Sequence, residues 1–316
     1  PPEPVTSSRR LSEITQTSQT ELTDLLELEP LEHNIYRGHN RDIGTGRIYG
    51  GQVLAQSLVA AANTVDEDRP AHSVHGYFIL AGDLDIPVVY FVDRLRDGGS
   101  FTTRRVTAIQ HGRAIYNMSA SFHRPEEGLE HQAAMPDVPG PEGLRSELEM
   151  LRDMQDRIPP HLRGVLTQDR PLDIRPVEVV DPFDPEPRPP IRHLWIRAVA
   201  PIGDDPLHHQ AVLAYTSDYG LLGAALQPHG VTFRRPDMMV ASLDHAIWFH
   251  RPFDANQWLL FALESPVTAG ARGFARGTFF TREGALVASV AQEGLVRQVR
   301  ISERSDGSSD RCPRHD

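Results

Sequence analysis

The sequence predicts an α+β protein built from two repeats, each an antiparallel sheet wrapped around a long central helix. Three observations carry this expectation. The chain contains a weak internal duplication, an apolar Ala- and Leu-rich helix heads each copy, and strand-like segments separated by turns follow each helix. VHGYFILAGDLDIPVVYFVDRL, from Val74, lines up with DHAIWFHRPFDANQWLLFALES, from Asp244. His75 then falls on His245, Tyr90 on Phe261 and Gly112 on Gly284, at separations drifting only from 170 to 172 residues. Such a fixed period signals a repeated structural unit.

Each copy reads in the same order. The first helix is GGQVLAQSLVAAANTV from Gly50, and the second is HHQAVLAYTSDYGLLGAAL from His208. The Gly50-Gly51 pair and Pro206 suit helix starts. Both helices are apolar around much of their circumference, which places them inside the fold rather than on it. VVYFVDRL, FTTRRVTAIQ and AIYNMSASFH then match WLLFALES, ARGFARGTFFT and ALVASVAQEGLV as strands. His111-Gly112 and Glu283-Gly284 are hairpin signals between them. These elements define repeats at 21–125 and 191–301. Residues 126–190 read as a linker with one amphipathic helix, Gly143 to Arg157, followed by DPFDPEPRPP, where five of ten residues are Pro. Such a run is an extended connector rather than a sheet strand. Residues 1–20 and 302–316 are polar and read as disordered tails.

Composition excludes several classes. At 316 residues with 39% hydrophobic side chains, the chain can bury a substantial core. Its net charge of −11 argues against a nucleic-acid surface. Neither a leader-like apolar run nor a stretch long enough for a membrane span is visible, since even Val53 to Ala62 is broken by Gln56 and Ser57. A cytoplasmic protein is expected. All 32 basic residues are Arg, so no lysine Schiff base can form. The lone Cys312 lies in the polar tail, without a base or a partner for a metal cluster.

Standard catalytic signatures are missing. The chain has no G-x-S-x-G elbow and no H-E-x-x-H. The pairs His72/His75 and His208/His209 lack the further ligands a zinc site needs. Gly44-Thr45-Gly46 to Gly50-Gly51 only superficially resembles a dinucleotide loop, because no clear strand precedes it. No metal and no cofactor are implied. Polar residues set into apolar elements of the second copy are more informative. Asp218 lies within the second helix, where a buried carboxylate needs donors, a raised pKa or both. Ser242 precedes an aromatic-rich strand, and Gln292 interrupts ALVASVAQEGLV, falling against Ala120 of the first copy. This asymmetry suggests one active site per pair of repeats. Each residue also has a structural reading: Asp218 as a kink beside Gly220 or a cap of a new helix, Ser242 as a strand cap, and Gln292 as a strand-end partner.

At these residues the sequence resembles the acyl-CoA thioesterase II family, the bacterial TesB-like enzymes and their peroxisomal relatives. The carrying strings include RIYGGQVLAQSLVAAA, LRDGGSFTTRRVTAIQHGRAIYNMSASF, YTSDYGLL, ALQPHGVTF, LDHAIWFHRPF and ARGFARGTFFTREGALVASVAQEGLVR, running from about Arg47 to Arg297. The resemblance implies a double hotdog fold, an acyl-CoA substrate, and Asp218, Ser242 and Gln292 as a catalytic set that activates water for thioester hydrolysis. Gly50 and Gly51 enter as candidate substrate-binding residues offering oxyanion donors at a helix start, with His75 as a third. Arg104, Arg105, Arg272 and Arg276 could meet coenzyme A phosphates or simply be solvated strand faces. The chain ends without a Ser-Lys-Leu type address. Exposed sheet edges favour a homo-oligomer, dimer or tetramer. Two alternatives stay open: a hotdog-fold enoyl-CoA hydratase or dehydratase using His75 or His245, and a non-catalytic acyl-CoA binding protein.

Overall fold

The computed structural model describes residues 22–44 and 46–299. The two expected tails, 1–20 and 302–316, lie outside the described residues. Thirteen strands form one antiparallel sheet: β1 Glu29–Glu32, β2 Ile35–Gly38, β3 Ala71–Phe78, β4 Val88–Asp97, β5 Phe101–Gln110, β6 Arg113–His123, β7 Leu172–Pro176, β8 Ile191–Ala198, β9 Met238–Ser242, β10 Asp244–Phe249, β11 Leu259–Ala269, β12 Arg272–Thr281 and β13 Leu286–Gln298. Twelve of them run in the order β1-β2-β4-β5-β6-β3-β10-β13-β12-β11-β8-β7, one repeat followed by its mirror order, and β9 pairs with β13 off this path. The seam is the antiparallel pair β3–β10, where His245 faces Gly76 and Ala246 faces His75. The duplication seen in the sequence is therefore a pseudo-twofold sheet, with its two halves fused at the seam.

Two helices fill the halves. Helix α1, Gly50–Ala62, is buried from Gly51 to Ala61. Its interior glutamines are satisfied locally: Gln56 Nε2 donates to the carbonyls of Leu25 (2.6 Å) and His39 (2.9 Å) while its Oε1 accepts from Tyr90 Oη at 2.5 Å. Pairing offsets the cost of burying these amides; Ser57 Oγ in the same helix is buried without a partner among the described residues. The second core helix is interrupted. Numbering onwards from the linker helices α2 (Glu147–Asp153) and α3 (Pro160–Thr167), helix α4 covers Pro206–Ser217 and α5 covers Leu221–Leu226. Asp205 caps α4 by accepting from the Leu207 amide, and Pro206 occupies its first turn. The single helix expected over 208–226 breaks because Gly220 adopts φ 87°, a left-handed conformation that no helix continues through. Asp218 is thus the C-terminal cap of α4 rather than a mid-helix residue.

The linker is richer than the one helix expected. Ser146 and Glu149 form a reciprocal capping box on α2, α3 follows, and β7 joins the sheet against β8. Leu172, Ile174 and Pro176 of β7 are buried in alternation. A five-residue strand ending in Pro is tolerated because β7 is the edge of the sheet. His111 (φ 49°) and Gly112 (φ 70°) make a two-residue hairpin as expected, and Gly270 and Ala271 make a similar one between β11 and β12. No helix among the described residues is long and apolar enough to cross a membrane.

The two core helices touch where α1 begins and α4 ends. A Cβ on Gly51 would lie 2.3 Å from the Tyr215 carbonyl oxygen and 2.6 Å from the Tyr49 ring. Tyr49 Oη donates to that same carbonyl at 3.0 Å, its ring set edge-on to Tyr215 at 5.0 Å. Backbone meets backbone here, so no rotamer change can make room. Gly51→Ala should therefore lower the urea midpoint by an amount worth about 1–3 kcal/mol. An unchanged midpoint would mean that the two helices can separate without cost.

Candidate active site

Four elements converge on Asp218: the break after α4, the end of β9, the middle of β13 and the start of α1. β9 pairs with β13 so that Ser242 faces Gly294, two residues from Gln292. Gly294 lets Leu222 of α5 pack closely there, since a Cβ would sit 2.4 Å from the end of that side chain. The helical break can then drop onto the strand. Gln292 Nε2 donates to Asp218 Oδ1 at 2.5 Å and to Ser242 Oγ at 2.9 Å; Ser242 Oγ donates to the same carboxylate oxygen at 3.3 Å. The three residues singled out in the sequence thus form one closed hydrogen-bonded set. The Asp218 side chain is only 6% exposed. Burial pushes its pKa up to about 6, against the opposing pull of Gln292, Ser242 and the Gly51 amide.

Gly50 and Gly51 border this carboxylate. A Cβ on Gly50 would lie 2.7 Å from Asp218 Oδ2 and 3.0 Å from the Phe78 ring. Helix α1 has no side-chain cap of its own; a carboxylate from the other repeat faces its free N–H groups instead. The Gly51 amide acts on Asp218 by lowering its pKa against the effect of burial.

His75 is not part of the site. Strand alternation buries Val74 and Gly76 and turns His75 outward, where it packs edge-on against Trp248 at 5.0 Å. His245, its counterpart by sequence, points inward and is 1% exposed. The alignment was one residue out of facing register, and a one-residue slip moves a strand residue to the opposite face. His245 itself lies beside the set, with Nδ1 4.0 Å from Asp218 Oδ1. Sequence reading had named it through its pairing with His75 and as a histidine a hydratase or dehydratase could use.

The arginines separate into two kinds. Arg105, Arg272 and Arg276 are exposed and ion-paired with Asp93, Glu293 and Glu264. Arg104, by contrast, is 1% exposed and is no solvated face. It bonds Thr64 Oγ1 (2.7 Å), the Thr64 carbonyl (3.0 Å) and Asp97 (2.5 Å). Arg104 pairs across the ladder with Ala120, as Ala275 pairs with Gln292 in the other half. The place that would be the twin of the Asp218 site is thus plugged by a guanidinium folded over the end of α1.

A curled antiparallel sheet of two fused halves, each enclosing a helix, with one buried carboxylate set at their junction, defines a double hotdog enzyme. Comparisons with known proteins give the family. Residues 39–123 match the model of the acyl-CoA thioesterase N-terminal domain, and residues 162–295 match that of acyl-CoA thioesterase. Acyl-CoA thioesterase 2 of Haemophilus influenzae is 41% identical over 279 residues, covering 87% of this chain and 96% of that one. The crystal structure of an acyl-CoA thioesterase II from Mycobacterium marinum is similar at 41% identity with a TM-score of 0.70, over 87% of this chain and 97% of that one. A hot dog fold protein of unknown function from Alicyclobacillus acidocaldarius shares the fold at 17% identity and a TM-score of 0.69, over 87% of this chain and 97% of that one. The chain belongs to the acyl-CoA thioesterase family, and the thioester hydrolysis expected from the sequence is the activity of that family.

If Arg104 seals the half that lacks the carboxylate set, Arg104→Met should cost about 1–3 kcal/mol of stability by taking the donor from the Thr64 carbonyl, while Thr64 Oγ1 keeps its bond to the Ala61 carbonyl. Turnover per folded molecule should not change. A selective loss of turnover in the folded variant would mean that this arginine contributes to the reaction.

Proposed function

We propose that Asp218, Ser242 and Gln292 are the residues with which the enzyme hydrolyses acyl-CoA thioesters. Asp218 takes a proton from a water as its oxygen attacks the thioester carbonyl, and returns a proton to the departing coenzyme A thiolate. The observation that carries this reading is the shared hydrogen-bond set on a desolvated carboxylate. Gln292 and Ser242 fix the Oδ1 side of the carboxylate, leaving it one orientation. A base with a pKa of about 6 is ionised at neutral pH yet strong enough to draw a proton. Ser242 serves as a donor to that base in this scheme, not as a nucleophile.

The hydratase alternative loses one of its two histidines, because His75 faces outward. Release of free thiol without an enoyl product would separate hydrolysis from hydration, and its absence at high enzyme concentration would favour a pure binding protein. A cytosolic location and a homo-oligomer remain part of the reading; outward-facing Tyr77, Phe91 and Leu95 are exposed apolar groups that a second copy could cover.

Turnover should fall about tenfold for each pH unit below about 6, where Asp218 becomes protonated. A pH profile flat to pH 5 would remove Asp218 as the base. Asp218→Asn should lose at least about a hundredfold in turnover, and Gln292→Ala combined with it should cost little more than Asp218→Asn alone. Additive losses would break the shared task.

Stability should move the other way. Since folding raises this carboxylate's pKa, its ionisation destabilises the fold. The cost is absent below its ordinary value of 3.8 and complete above about 6. Asp218→Asn should therefore be more stable than the parent near pH 8, by up to about 3 kcal/mol, and no more stable near pH 3.5. Denaturant midpoints at the two pH values test the sign.

A further inference from the structure

We propose that His245 is a further catalytic group, whose Nδ1 lone pair accepts a hydrogen bond from the attacking water beside Asp218. The inference rests on the reading of Asp218 as the base. The alternation of β10 buries His245, and its Nε2 lies 2.8 Å from Ser217 Oγ. That hydroxyl donates its one proton to the Ala214 carbonyl at 2.8 Å, one turn back in α4. Only its lone pairs are left for the imidazole, so the ring must carry its proton on Nε2. Nδ1 is then a bare acceptor. It is buried, has no partner among the described residues, and lies 4.0 Å from Asp218 Oδ1.

Two acceptors at that separation cannot bond each other. A molecule with two protons, placed about 2.8 Å from each, spans them. Gln292 Oε1 is another buried acceptor without a partner, on the amide whose nitrogen holds Asp218. Buried acceptors are seldom left unpaired in a folded protein, and here two of them border the proposed base. Water offers what they lack. Burial also pushes the imidazole pKa down to about 3, which keeps the ring neutral.

The step balances without another reactant. The water oxygen bonds to the carbonyl carbon, one water proton passes to Asp218, the C–S bond breaks, and the thiolate takes that proton. His245 holds the second water proton by a hydrogen bond and stays neutral throughout.

Two substitutions separate this role from packing. His245→Gln retains an amide near Nε2 for Ser217 but removes the Nδ1 acceptor. His245→Asn places an oxygen near Nδ1 but gives up the Ser217 contact. With a long-chain acyl-CoA, His245→Gln should keep the parent's melting temperature and KM while kcat falls about 10- to 100-fold. His245→Asn should be less stable yet retain more of kcat. Ser217→Ala, which frees the tautomer without altering the ring, should lower kcat severalfold. Full kcat in His245→Gln or in Ser217→Ala would overturn the proposal, as would losses in all three that merely follow their stabilities. Asp218→Asn, assayed alongside, isolates the underlying reading: if it keeps full turnover, that reading fails whatever His245 does.

Discussion

Gly51 of α1 lies so close to the Tyr215 carbonyl of α4 that no side chain fits between them, and this backbone contact sets the geometry of everything around it. It brings the bare N-terminus of one core helix against the final turn of the other. The two glycines leave the Asp218 carboxylate room to approach α1, and Tyr49 ties the junction through the same Tyr215 carbonyl. The site therefore belongs to neither repeat. Its carboxylate, hydroxyl and amide come from the second half, and the helix start that faces them comes from the first. A single copy of the repeat would hold Asp218 without the dipole that faces it.

Duplication alone would give two such junctions, related by the pseudo-twofold of the sheet. The second is closed by chemistry of the opposite sign. Where one half has Ala275 beside Gln292, the other has Arg104 beside Ala120. A guanidinium with five fixed donors suits the carbonyl-rich C-terminal end of α1, just as an acceptor suits a helix start. Small-to-large exchange on one strand and polar-to-small exchange on its neighbour replace a junction built around a carboxylate with one closed by a guanidinium.

Much of this was legible in the sequence, and the failures have physical causes. Asp218, Ser242 and Gln292 stood out because a polar group in an apolar element must be paired, and the structure pairs them with one another. Gly50-Gly51 and Pro206 marked helix starts through backbone rules that do not depend on the rest of the fold. His75 failed because an alignment tolerates a one-residue slip, whereas a strand face does not. A kink or break beside Gly220 was one of two readings of Asp218, and the apolar run continuing through LLGAAL favoured a single helix instead. Only the left-handed glycine, whose conformation is fixed by packing, interrupts it. β7 was missed because five residues ending in Pro carry too little pattern to outweigh the prolines around them. His245 could have been found from facing register, had the alternation of β3 and β10 been phased before the repeats were aligned.

The break after α4 also explains what the linker does. A residue flanked by a helix end and a left-handed glycine would be free to swing, which the base proposed for Asp218 cannot be. Tyr219, next to Asp218, donates its hydroxyl proton to Glu147, the first residue of α2. Arg170 holds the same carboxylate oxygen at 2.9 Å. The capping box at Ser146 and Glu149 in turn anchors α2, so a run of short-range bonds passes from a surface helix to the residue beside Asp218. On the other side, Val165 of α3 packs so tightly on Gly44, in the loop leading to α1, that a Cβ there would meet it at 2.7 Å. The segment between the repeats thus braces both chains that enter the site. Fixing Asp218 through its neighbour's side chain holds the carboxylate in the orientation in which Gln292 and Ser242 meet it.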